Sequence, residues 1–412
     1  MARILLVEPF LGGSHRAWAE VWASHSRHDI EILGHEGRHW RWRMRGGSVS
    51  LARDLAATTR PSVDVVVASI MLDLAAFRGM VDLPGAIWVQ YLHENQLTYP
   101  RQPGESLDTG LAWMQWRSLV VADEIWCNSA FQRDELIAGL DRLLASAPDH
   151  GHEPERAALE AKLRIEHPGV DIRERRSRPT GAPRPLVVSN QRWHHDKDVG
   201  AVIRTVRRLL ERGVDLDLAV VGDNEGGEAA VIDPLLDGLG DRVVARGFLD
   251  RPDYESLLDR ADVVVSAAKG ENFGIAVVEA IAAGAWPVLP DALAYPEIIP
   301  VSHHDDCLYA EGGLGKRLAD STNSSGDEPR RLTSGPCDSS TASPWGTGPI
   351  RRPAPGARLC GCRRVPPHRA RSGVAHLPLA SSSYSILSDG SVVLMRSSCR
   401  VARPSGWPPA AG

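Results

Sequence analysis

The chain has 412 residues, 43% of them hydrophobic, which is enough for two domains that each bury a core. Its net charge of -5 hides an asymmetry: residues 321–412 carry 12 Arg against 4 acids, leaving 35 basic against 48 acidic residues before them. That acidic body excludes a protein gripping nucleic acid over a broad basic face, no run reaches the roughly 20 apolar residues of a bilayer span, and Met1-Ala2-Arg3 leads into a strand rather than a signal peptide, so a soluble, cytoplasmic protein is expected.

Ile4-Leu5-Leu6-Val7 reads as a short apolar strand, Leu11-Gly12-Gly13-Ser14 as the loop after it, and a helix is predicted around 17–24. Paired glycines between a strand and a helix let a phosphate-bearing ligand approach the backbone, although any tight turn would use them too. In Arg38-His39-Trp40-Arg41-Trp42-Arg43-Met44-Arg45 the strict alternation predicts a strand, with Trp40, Trp42 and Met44 on one face and Arg41, Arg43 and Arg45 on the other. Such a strand either packs one face and solvates the other, or stacks unpaired bases on its aromatic and guanidinium groups. Further strands are predicted at 30–33, 63–68, 86–91 and 124–127, and helices at 107–121 and 131–145. The segment His93-Glu94-Asn95-Gln96, after the strand ending at Tyr91, is either an ordinary polar loop or a site gathering a titratable ring, an acid and two amides.

Glu166-His167-Pro168-Gly169-Val170-Asp171 and the Arg- and Pro-rich stretch after it read as a break, with a linker at 169–184 between lobes at 1–168 and 185–320. Strands in the second lobe are predicted at 185–189, 216–221, 243–245, 263–266 and 286–289. Strands alternating with helices in both lobes predict an α/β architecture of two doubly wound sheets, with a ligand cleft at the C-terminal ends of the strands. After the second lobe's first strand, Arg192 offers a planar fork for paired phosphate oxygens and Lys197 a point charge, a combination suited to a diphosphate. His194 and His195 beside Asp196 leave a metal site as the less favoured reading, because chain neighbours rarely aim at one ion. The six Cys show neither a zinc pattern nor a disulfide framework.

Glu279 stands inside an apolar run, 275–284, that reads as a buried helix ending at a Gly cap, and a buried carboxylate is costly unless hydrogen bonds meet it. Glu271 lies in the loop before that helix. Either Glu279 pairs with an Arg of a neighbouring helix and Glu271 is a first-turn acid, or both accept from sugar hydroxyls and are satisfied only when a nucleotide sugar is bound. Beyond residue 320, 17 Ser and 12 Pro with almost no periodicity read as a disordered or low-complexity tail, or as translation out of frame.

Two α/β lobes, Arg192 and Lys197 after the second lobe's first strand, the Glu271-x7-Glu279 element and the connector His167-Pro168-Gly169-Val170-Asp171 resemble the GT-B retaining glycosyltransferases of the glycogen-synthase-like superfamily. Within it, Leu11-Gly12-Gly13-Ser14-His15, Trp40-Arg41-Trp42-Arg43, His93 to Pro100, His195-Asp196-Lys197-Asp198 and Tyr295-Pro296-Glu297-Ile298 resemble the tRNA-queuosine α-mannosyltransferase family, over roughly residues 1–310. The resemblance implies GDP-mannose as donor, the cyclopentenediol of queuosine in a tRNA anticodon as acceptor, and retention of configuration by front-face displacement. No cofactor and no obligatory metal are expected. It implies that Glu271 holds the donor sugar's hydroxyls, Glu279 holds the ribose, Arg192 and Lys197 stabilise the departing diphosphate, and His93 lies near sugar and acceptor. Gly12, Gly13, Asn272, Phe273 and Gly274 fall on the donor side. His15, Trp40, Arg41, Trp42, Arg43, Glu94 and Asn95 fall on the acceptor side. The family also implies a last helix that crosses back to the first lobe, which the composition of 321–412 does not supply. Two other readings use the same residues: the same donor chemistry on a small-molecule, lipid or glycan acceptor, and a nucleotide-sugar-binding protein without catalysis.

Overall fold

Apolar strand runs such as Val65-Val66-Val67-Ala68, with no polar alternation, need cover on both faces, and parallel sheets flanked by helices supply it. In the computed structural model, which describes residues 1–58, 62–102, 104–171, 184–224 and 227–323, two such sheets form. The expectations for most of the linker and for a tail after 323 lie outside the described residues. The first lobe runs β1 (Arg3–Leu11), α1 (Gly13–His25), β2 (Asp29–Glu36), α2 (Trp40–Ala56), β3 (Val65–Ser69), α3 (Leu74–Met80), β4 (Ile87–Leu92), α4 (Thr109–Val121), β5 (Glu124–Cys127), α5 (Ala130–Leu144), α6 (Glu153–Glu160) and β6 (Leu163–Ile165). The second runs β7 (Leu186–Ser189), α7 (Val199–Glu211), β8 (Asp217–Val221), α8 (Ala229–Asp237), β9 (Val243–Gly247), α9 (Arg251–Arg260), β10 (Val263–Val265), α10 (Ile275–Ala282), β11 (Trp286–Pro290), α11 (Tyr295–Ile298), α12 (His304–Cys307), β12 (Leu308–Tyr309) and α13 (Leu314–Asn323).

The sheet orders are β2-β1-β3-β4-β5-β6 and β12-β11-β10-β7-β8-β9, and the strand pairs are parallel. Both lobes are therefore doubly wound, as the alternating pattern predicts. In such sheets chain direction diverges at one strand pair, leaving a crevice at the carboxyl ends. Here those pairs are β1/β3 and β7/β10, so the loops after β1, β7 and β10 are where a ligand is received. The first lobe shows the period-2 logic of a strand directly: Ile4 and Leu6 pack with Trp18 on one face, Leu5 and Val7 with Leu51 and Phe77 on the other. A single cluster built on Val187, Val220, Val264 and Val288 forms the second core, and Leu318 of α13 is buried in it. No helix among the described residues is long and apolar enough to cross a membrane.

Two local expectations are corrected. The alternating segment from Trp40 to Arg45 is the first turn and a half of a 17-residue helix, not a strand. The alternation is only six residues long, and Met44, Gly47, Ser48, Leu51, Ala52 and Leu55 continue it at helical spacing, so burial of that longer stripe decides the conformation. A side chain at Gly47 would sit 2.9 Å from Pro9, so the helix also lies too close to β1 for a larger residue there. The second correction is that β1 does not stop at Val7 but continues to Leu11, which carries Glu8 into the sheet with no exposed surface.

Candidate active site

The second lobe's half of the crevice is made by the loops after β7 and β10. Asp198, at φ 43°, ends a short turn over His195–Lys197 and caps α7 by accepting from the Ala201 amide. This turn folds Lys197 back under the β10 loop, where it is 8% exposed. Its Nζ donates to the Gly270 carbonyl at 2.5 Å and to Glu271 Oε2 at 3.1 Å, with Asp196 Oδ2 at 3.3 Å. Glu271 also accepts from Gln191 Nε2 at 3.3 Å. Beneath them, Gln191, Ser266 and the buried Tyr295 close a triangle of hydrogen bonds of 2.7 to 3.1 Å. Burial pushes the Asp196 carboxyl up, but its hydrogen bond to His194 and the charges of Lys197 and Arg192 outweigh that and hold it well below the carboxylate range.

Across the cleft, Arg192 Nη2 donates to the Tyr99 hydroxyl of the first lobe at 2.7 Å and lies 3.7 Å from Asp196 Oδ2. His195 Nε2 meets the Pro100 carbonyl at 3.0 Å, and a Cβ on Gly270 would stand 2.4 Å from Pro100. The stretch from His93 to Pro100 thus ends as a contact between lobes. A second contact is Glu297 of α11, whose carboxylate accepts from the Ala130 and Phe131 amides at 2.8 and 2.6 Å, at the free N–H groups that open α5. Glu297→Ala is expected to cost about 0.5–2 kcal/mol, the range for a lost N-terminal cap, and to lower the thermal midpoint without changing the far-ultraviolet dichroism.

The two acids are not waiting for a sugar. Glu279 is 16% exposed at its side chain; its carboxylate accepts from Arg251 Nη1 at 2.7 Å and Tyr254 Oη at 3.0 Å, and that hydroxyl accepts from Asn190 at 2.9 Å. The neighbouring-helix arginine is therefore present, on α9, and the expectation that both carboxylates stay unsatisfied without ligand is overturned. A buried carboxylate next to a long basic side chain pairs with it whenever the geometry allows. Gly274, at φ 93°, turns the chain into α10, and Phe273 packs in the core with its ring 5.5 Å from that of His167 on the connector. Asn272 stands half-buried between Glu271 and Phe273.

In the first lobe, Gly12 is pressed against Gly37, whose Cα would lie 2.9 Å from an added Cβ, whereas Gly13, at φ 51°, opens on free space. His15, in the first turn of α1, sends Nδ1 to Glu8 Oε2 at 2.9 Å, and the other Glu8 oxygen accepts from the Phe10 amide at 2.8 Å. The His15 ring lies 4.1 Å from that of His93, which also meets Trp18 and Tyr91. Burial pulls His15 down, but Glu8 by charge and hydrogen bond, with Glu94, lifts it above its usual value; burial and the neighbouring His15 hold His93 well below. The two adjacent rings are thus pushed apart, His15 toward its charged form and His93 toward its neutral one. Ligand atoms of Glu8, His15 and His93 lie within 4.8 Å of one another.

The remaining acceptor-side residues part company. Asn95 is 3% exposed and spends its side chain on Leu97, Thr98 and the Thr98 hydroxyl, shaping the loop. Glu94 is half-buried and accepts from Gln96 at 3.4 Å. On α2, Trp40 and Trp42 are exposed by 40% and 67%, Arg41 stacks on Trp40 at 4.7 Å and pairs with Glu105, and Arg45 pairs with Asp108. Arg43 turns inward toward His35 at 3.4 Å. Sequence reasoning missed Glu8, did not identify Arg251 as the arginine beside Glu279, and gave Tyr99, Tyr295 and Glu297 no role although they lie in motifs of the resemblance. A charge directly after the apolar run Ile4–Val7 was an available signal for Glu8. The others belong to contacts between distant segments, which carry no local mark.

Residues 3–170 match a family model described as tRNA-queuosine alpha-mannosyltransferase N-terminal, and residues 171–306 match glycosyl transferases group 1. A tRNA-queuosine alpha-mannosyltransferase of Drosophila melanogaster is 29% identical over 327 residues, covering 76% of this chain and 85% of its own. A GDP-mannose:cellobiosyl-diphosphopolyprenol alpha-mannosyltransferase of Xanthomonas campestris is 26% identical over 170 residues, 41% of this chain and 44% of its own. Among solved structures, Anabaena HepE in complex with UDP and glucose superposes with a TM-score of 0.55 at 16% identity, over 78% of this chain and 89% of its own. Sucrose-phosphate synthase from Thermosynechococcus elongatus gives 0.57 at 15% identity, over 78% and 88%. At these identities the structural likenesses speak for the GT-B fold alone.

Proposed function

We propose a reaction for a glycosyltransferase that belongs to the tRNA-queuosine alpha-mannosyltransferase family: it transfers mannose from GDP-mannose to the cyclopentenediol of queuosine in tRNA, with retention and without a metal or cofactor. The bond from the anomeric carbon to the diphosphate breaks, and a bond from that carbon to an acceptor hydroxyl oxygen forms on the same face. The hydroxyl proton passes to the departing diphosphate. The observation that carries this reading is Lys197 against Glu271 at 3.1 Å, beside the β7/β10 divergence. Lys197 and Arg192 offer positive charge where the leaving group gains negative charge, and Glu271 offers an acceptor to the sugar hydroxyls. His93, held neutral, suits a sugar hydroxyl better than a phosphate. Glu279 has lone pairs left beyond Arg251 and Tyr254, so a ribose can add to that cluster rather than dismantle it.

The acceptor half rests on α2. Its exposed Trp42, with Arg38, Arg41 and Arg45, gives an acidic chain a local aromatic and basic ridge. Exposed ion pairs contribute only about 0–1 kcal/mol, so phosphates can replace Glu36, Glu105 and Asp108 as partners at small cost. A tRNA acceptor places the reaction in the cytoplasm. The deciding experiment measures GDP release from GDP-mannose, in EDTA, with queuosine-containing tRNA, with tRNA lacking it, and with no acceptor. Release that needs the modified tRNA is expected; equal release in all three, or with a small acceptor instead, contradicts the reading. Arg41→Ala combined with Arg45→Ala is expected to raise the KM for tRNA about tenfold, as for two lost phosphate contacts, with donor affinity unchanged. Arg43, being turned inward, is expected to act through the fold instead.

A further inference from the structure

Glu8 is the one acid of β1 that the reaction above does not use, and its position is expensive. It has no exposed surface and sits at the carboxyl end of a strand whose neighbouring side chains are apolar. A buried carboxylate survives as an ion only when both oxygens are met and an opposite charge stands near. Both oxygens are met, Oε1 by the Phe10 amide and Oε2 by His15 Nδ1. Without that carboxylate the place of His15 works against a positive charge: it lies in the first turn of α1, where the free amides disfavour a cation. Its other nitrogen, Nε2, has no partner among the described residues, although the side chain is only 12% exposed. The ring stands directly after Gly12-Gly13, within electrostatic reach of Arg192 from the opposite lobe.

We propose that Glu8 is a positioning residue for the leaving group: by accepting the Nδ1–H of His15 it orients that ring and keeps it a double donor, so that the Nε2–H is offered to an oxygen of the donor's diphosphate. The inference rests on the donor reading above and deepens it, adding a first-lobe donor to Arg192 and Lys197 of the second. A neutral imidazole has one N–H, and Glu8 would take it. The second N–H exists only in the imidazolium, so the carboxylate beneath the ring is what makes His15 useful to an anion. The charged or titratable groups facing His15 are Glu8 from β1, Glu94 and His93 from the loop after β4, and Arg192 from the loop after β7. Arg192 opposes the charge and the two acids favour it. Because His15 is raised in the folded protein above its usual 6.5, the pair stabilises the fold below pH 6.5 and this contribution is lost as the pH rises through the folded value.

The test uses the full chain and three proteins: wild type, Glu8→Gln, which keeps an oxygen for the Phe10 amide, and His15→Gln. The His15 midpoint is followed by NMR of the ring without ligand, and the affinities for GDP and for UDP are measured calorimetrically across pH. In wild type, binding is expected to weaken above the His15 midpoint. In Glu8→Gln the midpoint falls by at least a pH unit, and the binding limb follows it by the same amount. Between the midpoints of Glu8→Gln and wild type both variants bind diphosphate about tenfold or more weakly, the loss of one charge-assisted hydrogen bond, and His15→Gln loses that limb. A midpoint that does not move in Glu8→Gln, or moves while the binding limb stays, overturns the proposal, as does a wild type that binds neither nucleotide. Tight UDP binding with the same limb, and none for GDP, sinks the guanine donor but upholds Glu8. Stoichiometric zinc that survives dialysis and is lost in Glu8→Gln makes the trio a metal site and also overturns it.

Discussion

Turnover in Glu271→Ala is expected to fall by about two to three orders of magnitude, the range seen when one preorganised polar group at a reacting centre is removed. The residue has two duties. Its Oε2 neutralises Lys197 at 3.1 Å and receives Gln191 at 3.3 Å, so it fixes the ammonium where a diphosphate would depart. The proposed reaction also has it accept from the donor sugar. Without it, Lys197 keeps the Gly270 carbonyl and Asp196 and is drawn away from the crevice. Glu271→Gln retains shape and an acceptor but loses the charge, and an intermediate rate is expected. GDP release at saturating donor and tRNA measures both. A rate for the Ala variant within threefold of wild type removes Glu271 from the chemistry.

The largest effect on stability is expected at Tyr295. The side chain is fully buried, and its hydroxyl joins Gln191 and Ser266 directly beneath the Glu271 loop. Tyr295→Ala opens a cavity costing about 3–5 kcal/mol and leaves two buried polar groups short of a partner. A fall of roughly 10 °C in the thermal midpoint follows for a body of this size. Tyr295→Phe keeps the volume and is expected to cost only about 1–2 kcal/mol, yet it releases Gln191 from one of its anchors. The pair of variants separates packing from positioning: the Ala variant is read in the midpoint, the Phe variant in the KM for the donor. Equal midpoints for wild type and Tyr295→Ala would falsify the account of this triangle.

What the sequence makes legible is what is periodic or local. The strands of both sheets announce themselves as short apolar runs between helical patterns, and Arg192, Lys197 and Glu271 are legible because each lies just beyond such a run. Trp40 to Arg45 misleads because a six-residue alternation is compatible with a strand until the apolar positions through Leu55 are counted at helical spacing. Glu8 escapes notice because the strand is longer than its apolar run. The roles of Arg251, Tyr99 and Glu297 cannot be read from local pattern even where a motif contains the residue, since each gains its meaning from a partner 28, 93 or about 167 positions away.

The hydrogen bond from Arg192 to Tyr99 ties the two lobes together through the guanidinium that the proposed reaction assigns to the diphosphate. A donor whose diphosphate displaced Tyr99 from this Nη2 would link the two equilibria, and that linkage would be reciprocal. In that exchange, whatever free energy the tether contributes to holding the lobes together would be subtracted from donor affinity. On the proposed reaction, donor occupancy of the second lobe would then reach the first lobe through one exchanged hydrogen bond rather than a long chain of displacements.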